Sequence, residues 1–349
     1  MVNRPIAVAL ASAALFGAST PLAKLLLDEL PPVLLAALLY LGSGAGLAVW
    51  LALRRLARRA ERVAPLGRAD WPWLASAISA GGIAGPMLLM FGLQATDATA
   101  ASLLLNLEAV LTAGLAWVVF RENVDRRVFA GMLAIVAGGA LLSWTQAPQA
   151  GAFAGSLLVA GACLAWAIDN NLTRKISGGD AATIACLKGL AAGTVNLAIA
   201  LGAGAALPSL AVLAAAGAVG FLGYGVSLAL FIVALRGLGT ARTGAYFAVA
   251  PFFGAALALL LLDERPAALF WIAGCLMAAG VWLHVTERHL HEHAHEALAH
   301  EHAHVHDEHH RHRHDFAWQG SEPHSHPHRH EPLVHTHPHY PDLHHRHRH

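Results

Sequence analysis

Runs of about 20 apolar residues, the length that crosses the hydrocarbon core of a bilayer as a helix, recur along this chain. They fall near 4–27, 31–53, 71–93, 98–120, 127–145, 153–175, 181–206, 211–235, 240–262 and 267–286. Backbone polar groups in lipid must be satisfied within the segment, so such runs fold as helices. With 56% hydrophobic and 13% charged residues, the chain cannot hide its apolar surface from water as a soluble domain. The fold class expected is an all-α integral membrane protein with about ten spans. Met1–Thr20 loosely mimics a cleavable signal peptide, but the apolar run continues through Pro21 to Leu27, so it is read as the retained first span.

The loops carry an uneven charge. Arg54, Arg55, Arg58, Arg59, Arg62 and Arg68 share one loop, and Arg121, Arg126 and Arg127 share another on the same side, with Arg174, Lys175, Arg236 and Arg242. Opposite them stand only Arg265 and Lys24. The positive-inside rule then puts both termini in the cytoplasm. A formal net charge of +1 points to no nucleic-acid partner. Cys163, Cys186 and Cys275 lie inside apolar runs without CxxC spacing and are read as packing residues.

The sequence repeats itself. Around GLQATDATAASLLLNLEAVLTAGLAWVVFREN, a gapless register sets Glu122 on Glu264 and Gly138 on Gly280. LFGASTPLAK (Leu15 to Lys24) likewise matches AWAIDNNLTR (Ala165 to Arg174), with Leu22 on Leu172. Five spans per copy is an odd number, so the second copy inverts across the membrane, and binding is expected near the midplane between the halves. The expected domains are a first repeat (4–145), a second repeat (153–286) and a tail (287–349).

The five-plus-five plan, FGASTPLAK, NLEAVLTAGLAWVVFRE and AVAPFFGAALALLLLDE together resemble the EamA-type permeases of the drug/metabolite transporter superfamily. The resemblance covers about residues 4–286 and implies a secondary transporter. It is poor for substrate, since such permeases export amino acids, other metabolites, toxic compounds and metals. One departure is visible: the proline usual in the fourth helix is Ala109 here, while the second half keeps Pro251. A broken helix is therefore expected first in the second half.

Charged residues inside spans are costly unless paired or hydrated, so each is a functional candidate. Glu108 lies near the middle of the fourth span and suits a proton or cation site; the plainer alternative is one hydrogen bond to a neighbouring helix. Asn106, two residues earlier, is rotated by roughly 200° on an ideal helix, so the two share a cavity only if the helix unwinds. Thr99, Ser102 and Asn106 form a stripe better suited to interhelical packing. Asp169, Asn170 and Asn171 form the most polar cluster in any span. Asp169 and Lys188 lie at equal depth, roughly 10 Å from the cytoplasmic helix ends, which suits an intramembrane ion pair. That pair is a cytoplasmic-side gate or, with Asn170, a substrate contact; the plainer alternatives are a static strut or an Asp169 that simply reaches the interface beside Arg174. Asn196, Tyr224 and Tyr246 are weaker pathway candidates. Gly42-xxx-Gly46, Gly81-xxx-Gly85 and Gly189-xxx-Gly193 read as close helix packing. Trp50, Trp71, Trp73, Trp271 and Trp282 read as interfacial anchors. No nucleophile–base pair or phosphate loop supports enzymatic activity.

All 24 histidines fall between His284 and His349. Residues 289–315 lack proline and extend the last helix in this reading. Helical spacing would then pair His291 with His295 and align His302, His306, His310 and His314, chelating Ni²⁺, Co²⁺, Zn²⁺ or Cu²⁺. Beyond Ser321, five prolines argue for disorder. A low-complexity expansion, a pH-responsive lipid-adhering segment and an expression tag are the competing accounts of the tail.

The sequence thus predicts a bacterial inner-membrane exporter that needs no cofactor, works in the lipid bilayer and is compatible with a homodimer. Its lead substrate class is a divalent transition metal, nickel or cobalt, collected by the tail. The alternative is export of amino acids or other metabolites beside a metal-buffering or sensing tail. A membrane-anchored metal sensor or store is the third possibility, though an anchor needs no inverted repeat.

Overall fold

The computed structural model describes residues 4–57, 67–120, 126–145, 150–173, 176, 180–238, 240–285, 289–295, 299–304, 324–329 and 333–339. Up to Thr286 these residues form one unit, built from α-helices. The first half holds α1 (Arg4–Leu26), α2 (Pro32–Leu56), α3 (Trp71–Ala77), α4 (Gly85–Ala95), α5 (Ala98–Leu104), α6 (Leu107–Phe120) and α7 (Arg126–Thr145). The second holds α8 (Ala150–Thr173), α9 (Ala181–Gly202), α10 (Leu210–Gly220), α11 (Ser227–Leu238), α12 (Thr240–Phe247), α13 (Ala250–Leu261) and α14 (Ala268–Val285).

These helices join into ten passages. Eight are long and apolar enough to cross a bilayer; α13 and α14 carry shorter apolar stretches, Ala250–Leu261 and Ala268–Leu283. Large apolar side chains such as Leu210 and Leu260 stand about 80% exposed, at 78% and 81%. Water would not tolerate so broad an apolar surface, and lipid is the solvent that fits it. The chain is a multi-pass membrane protein.

Both halves are interrupted at matching places. The third passage runs α3 to α4 through a π-helical segment, Ile78–Ala84, and the eighth runs α10 to α11 through another, Phe221–Val226. A π segment accommodates an extra residue per turn and takes carbonyls out of the α ladder. Glycines in ISAGGIA and FLGYGV let neighbouring helices approach these segments closely.

The fourth passage breaks between α5 and α6, and the ninth between α12 and α13. In the ninth, Pro251 lacks an N–H and stands in the first turn of α13. The expectation that the second half would hold the break is therefore only half the picture, because the first half breaks without a proline. There Asn106 supplies the interruption. Its backbone N–H and its Nδ2 both donate to the Leu103 carbonyl, at 3.1 and 2.9 Å. A side chain that satisfies a local carbonyl offers the backbone an alternative to the helical ladder.

Packing follows small residues. α2 lies on α9 where Gly44 meets Gly189, and on α10 where Gly42 meets Gly217. The main core cluster runs through Leu34, Leu35, Leu39, Met90, Leu93, Leu104 and Met277. α9 begins at Asp180, whose carboxylate accepts from the Thr183 N–H at 3.0 Å.

The second unit, Glu287–His349, holds four strands: β1 (His289–His295), β2 (Ala299–His304), β3 (His324–Arg329) and β4 (Leu333–His339). β1 pairs antiparallel with β4, and β2 with β3. Where the tail is described, strands stand in place of the helix expected at 289–295 and 299–304 and of the disorder expected at 324–329 and 333–339. The reason is the period: HxH alternates every two residues, as a strand does. The helical chelates change with it, because residues four apart on a strand stand about 13 Å from each other. The register sets His291 opposite His337 and His302 opposite His326. His306, His310 and His314 lie outside the described residues.

Candidate functional site

Sequence and break together place Glu108 at the first turn of α6, about halfway along the fourth passage. It lies deep in the protein yet keeps part of its surface exposed. Its Oε1 accepts from Asn170 Nδ2 of α8 at 2.9 Å. The same amide reaches Thr112 Oγ1 at 3.3 Å, and the neighbouring Asn171 donates to the Thr112 carbonyl at 3.2 Å. One turn of α6 is thus laced to one turn of α8. Among the described residues Glu108 makes no ion pair, and Oε2 has no hydrogen bond.

Beside this pair sits a closed charge group. Lys188 Nζ of α9 donates to both Asp169 oxygens at 2.6 Å. Thr173 Oγ1 donates to Asp169 Oδ1 at 2.9 Å and accepts from Lys188 at 3.2 Å. Full pairing with added hydrogen bonds is what lets two charges persist in a low-dielectric interior. It also cancels their charges, so Glu108 is left as the unpaired carboxylate nearby.

Asp169 packs on Gly81 so closely that a Cβ there would collide with its carboxylate. Gly81 lies in the first π segment, and its carbonyl accepts from Tyr40 Oη at 2.8 Å and Trp166 Nε1 at 2.9 Å. The next carbonyl, Gly82, accepts from Asn196 Nδ2 at 3.1 Å. Side chains from α2, α8 and α9 thus take up the acceptors that the π segment presents. An aromatic chain continues from Tyr40 to Tyr224 (ring centroids 5.8 Å apart), Phe16 (5.7 Å from Tyr224) and Phe247 (5.3 Å from Phe16). All four are partly open and come from both halves.

The structure therefore gathers Glu108, Asp169, Asn170 and Lys188 into one polar region. It sets Asn106 and Asn196 apart in buried hydrogen bonds, with Asn196 Oδ1 left unpartnered. Thr99 and Ser102 are buried where α5 meets α13. Tyr40, Trp166 and Gly81 were not singled out for this network from sequence. The available signal was the glycine cluster at the same place in both halves. No group of three or more His, Cys, Asp or Glu that could hold a metal ion occurs among the described residues.

An odd-numbered helical repeat, two broken passages and a midplane carboxylate define a membrane transporter in architecture. Residues 3–144 and 153–286 each match the EamA-like transporter family, and the chain belongs to it. It is 30% identical over 282 residues to an uncharacterized transporter of Methanothermobacter thermautotrophicus, covering 77% of this chain and 82% of that one. A 75-residue stretch is 47% identical to a probable 4-amino-4-deoxy-L-arabinose-phosphoundecaprenol flippase subunit, ArnE, of Pseudomonas paraeruginosa. That match spans 22% of this chain and 63% of the relative. A solved crystal structure shares the fold at a TM-score of 0.58 and 18% identity, covering 81% of this chain and 96% of that one.

Proposed function

We propose that the chain is a secondary transporter of the bacterial inner membrane that exports a small metabolite bearing an amino group. Glu108 is its binding residue, and Asn170 and Thr112 orient the carboxylate. The observation that carries this reading is the unpaired Glu108 carboxylate, with one free oxygen, midway across the bundle. An ammonium satisfies that oxygen with a charge-assisted hydrogen bond. A proton on the same group would release it. In this reading the arginine-rich loops and both termini are cytoplasmic, which sets the Asp169–Lys188 end of the polar region toward the cell interior. The cargo named for the ArnE relatives, a lipid-linked amino sugar, also carries an amine.

Divalent transition metal, with nickel or cobalt first, is the second reading, and the 24 histidines favour it. Against it stands the donor set, since one carboxylate, amides and hydroxyls do not replace the hydration shell of such an ion well. Inside-out vesicles decide between them. Uptake of labelled amino acids and small amines, run beside Ni²⁺ and Co²⁺, should show amine flux that Glu108→Gln cuts at least tenfold. Metal flux without amine flux overturns the proposal.

A further inference from the structure

The two halves are equivalent in sequence but not in their contacts. The repeat maps α5 onto α12 and α6 onto α13, so packing of α5 on α13 has α12 on α6 as its counterpart. Among the described residues α5 packs broadly on α13, whereas α6 and α12 make marginal contact at most. The same asymmetry recurs for α1, which touches α4 and α5, while α8 makes no comparable contact with α11 or α12 among the described residues. These three packings lie in the outer half of the bundle, on the arginine-poor side. An inverted repeat with unequal halves is a transporter held in one of its two states. Here the outer end is shut.

Two side chains fasten that end. Glu264, in the second repeat, sends Oε1 to the Ala98 N–H at 2.8 Å and Oε2 to the Thr99 N–H at 2.9 Å. Ala98 and Thr99 open α5, in the first repeat, so one carboxylate bridges the halves by charge-assisted bonds at a helix N-terminus. Asp263, just before it, adopts a left-handed backbone with φ of 49°, a conformation that costs a non-glycine residue energy. Lys24 of α1 donates to the Leu93 carbonyl and, at 3.0 Å, to the Thr96 carbonyl at the end of α4. Between them the outer ends of α1, α4, α5 and α13 are tied.

We infer that Glu264 is the outer latch of the transport cycle: its two hydrogen bonds across the repeats hold the extracytoplasmic end closed while the polar region is open to the cytoplasm. This rests on the reading of the chain as an alternating-access transporter. Glu264 acts on the route through α5, as a positioning residue, and touches no cargo. In the first repeat Glu122 holds the equivalent position, outside the described residues.

The test reads access rather than flux, using a membrane-impermeant maleimide on vesicles of either orientation. The background has Cys163, Cys186 and Cys275 replaced by alanine. Ser102→Cys, buried one turn beneath the latch, reports the outer end; Asn170→Cys, exposed in the polar region, reports the inner end. With Glu264 present, the outer reporter should stay unlabelled. Glu264→Ala should raise its labelling at least tenfold and lower that of the inner reporter, because opening one end closes the other. Glu264→Gln, which keeps one acceptor oxygen, should fall between. An unchanged outer reporter sinks the latch. A rise at both reporters, or at the outer one alone, shows a loosened helix end rather than a gate and overturns the proposal equally. No cargo is needed, so failure to find a transported solute leaves the latch standing, and loss of the latch leaves amine export standing.

Discussion

At Gly81 three demands meet on one residue: a π-helical backbone, a carbonyl shared by Tyr40 and Trp166, and contact with Asp169. Gly81→Ala puts a methyl onto the Asp169 carboxylate and forces it off Lys188. Overpacking of this kind costs about 1–3 kcal/mol, and the melting temperature of the detergent-purified protein should fall accordingly. Asp97 responds to pH instead. Its position between helix ends, with partial burial and the nearby Glu264 carboxylate, holds its carboxyl above the usual range, while the Lys24 ammonium draws it back. A carboxyl raised in the folded state binds its proton more tightly there than when unfolded. It therefore destabilises as pH rises through the interval between the two values, and nothing is lost below the lower one. Asp97→Asn should raise thermal stability at pH 8 and leave it unchanged near pH 3; an equal gain at both would dismiss the carboxyl as cause. Glu108, Asp169 and Lys188 were legible in the sequence because a charge inside an apolar run stands out. Tyr40 and Trp166 were not, since an aromatic in such a run looks like packing and its acceptor, a backbone carbonyl, has no letter.

Between elements, the Asp169–Lys188 pair is the tie that joins α8 to α9, and the sequence placed it by depth alone. Removing one partner leaves the other charge buried. Asp169→Asn or Lys188→Gln alone should cost about 3–5 kcal/mol, while the double variant should recover most of that loss. A thermal double-mutant cycle measures the coupling, and additive losses would show that the two residues act separately. The passages themselves were readable because apolar length and loop charge are properties of the letters. Their interruptions were less so. A proline announces a break, so Pro251 was visible; Asn106 breaks α5 from α6 by a side-chain bond to its own turn, which polarity alone does not disclose. The π segments leave only a cluster of glycines, which packing explains equally well. In the tail, HxH fits a strand by period and a helix by absence of proline, and the structure took the period.

Over the whole molecule, a bundle without histidine before His284 is joined to a unit where histidines stand opposite one another in the register of two antiparallel ladders. The two metal-related readings separate here, because a collector and a bystander differ in what the bundle loses with the tail. Neutral imidazole is the metal ligand, so binding by the tail should be strong near pH 7.5 and vanish below about pH 6 as the rings take protons. Truncation after Arg288 should abolish that binding in calorimetric titrations with Ni²⁺ or Co²⁺. If the cargo is an amine recognised at Glu108, the truncated chain should still carry it into inside-out vesicles at a rate within about twofold of the full chain. Chelator should not matter either, because carboxylate recognition of an ammonium at the midplane needs no metal. If flux falls in step with metal binding as pH drops or the tail is removed, the tail feeds the route. Glu108 would then be serving a metal ion.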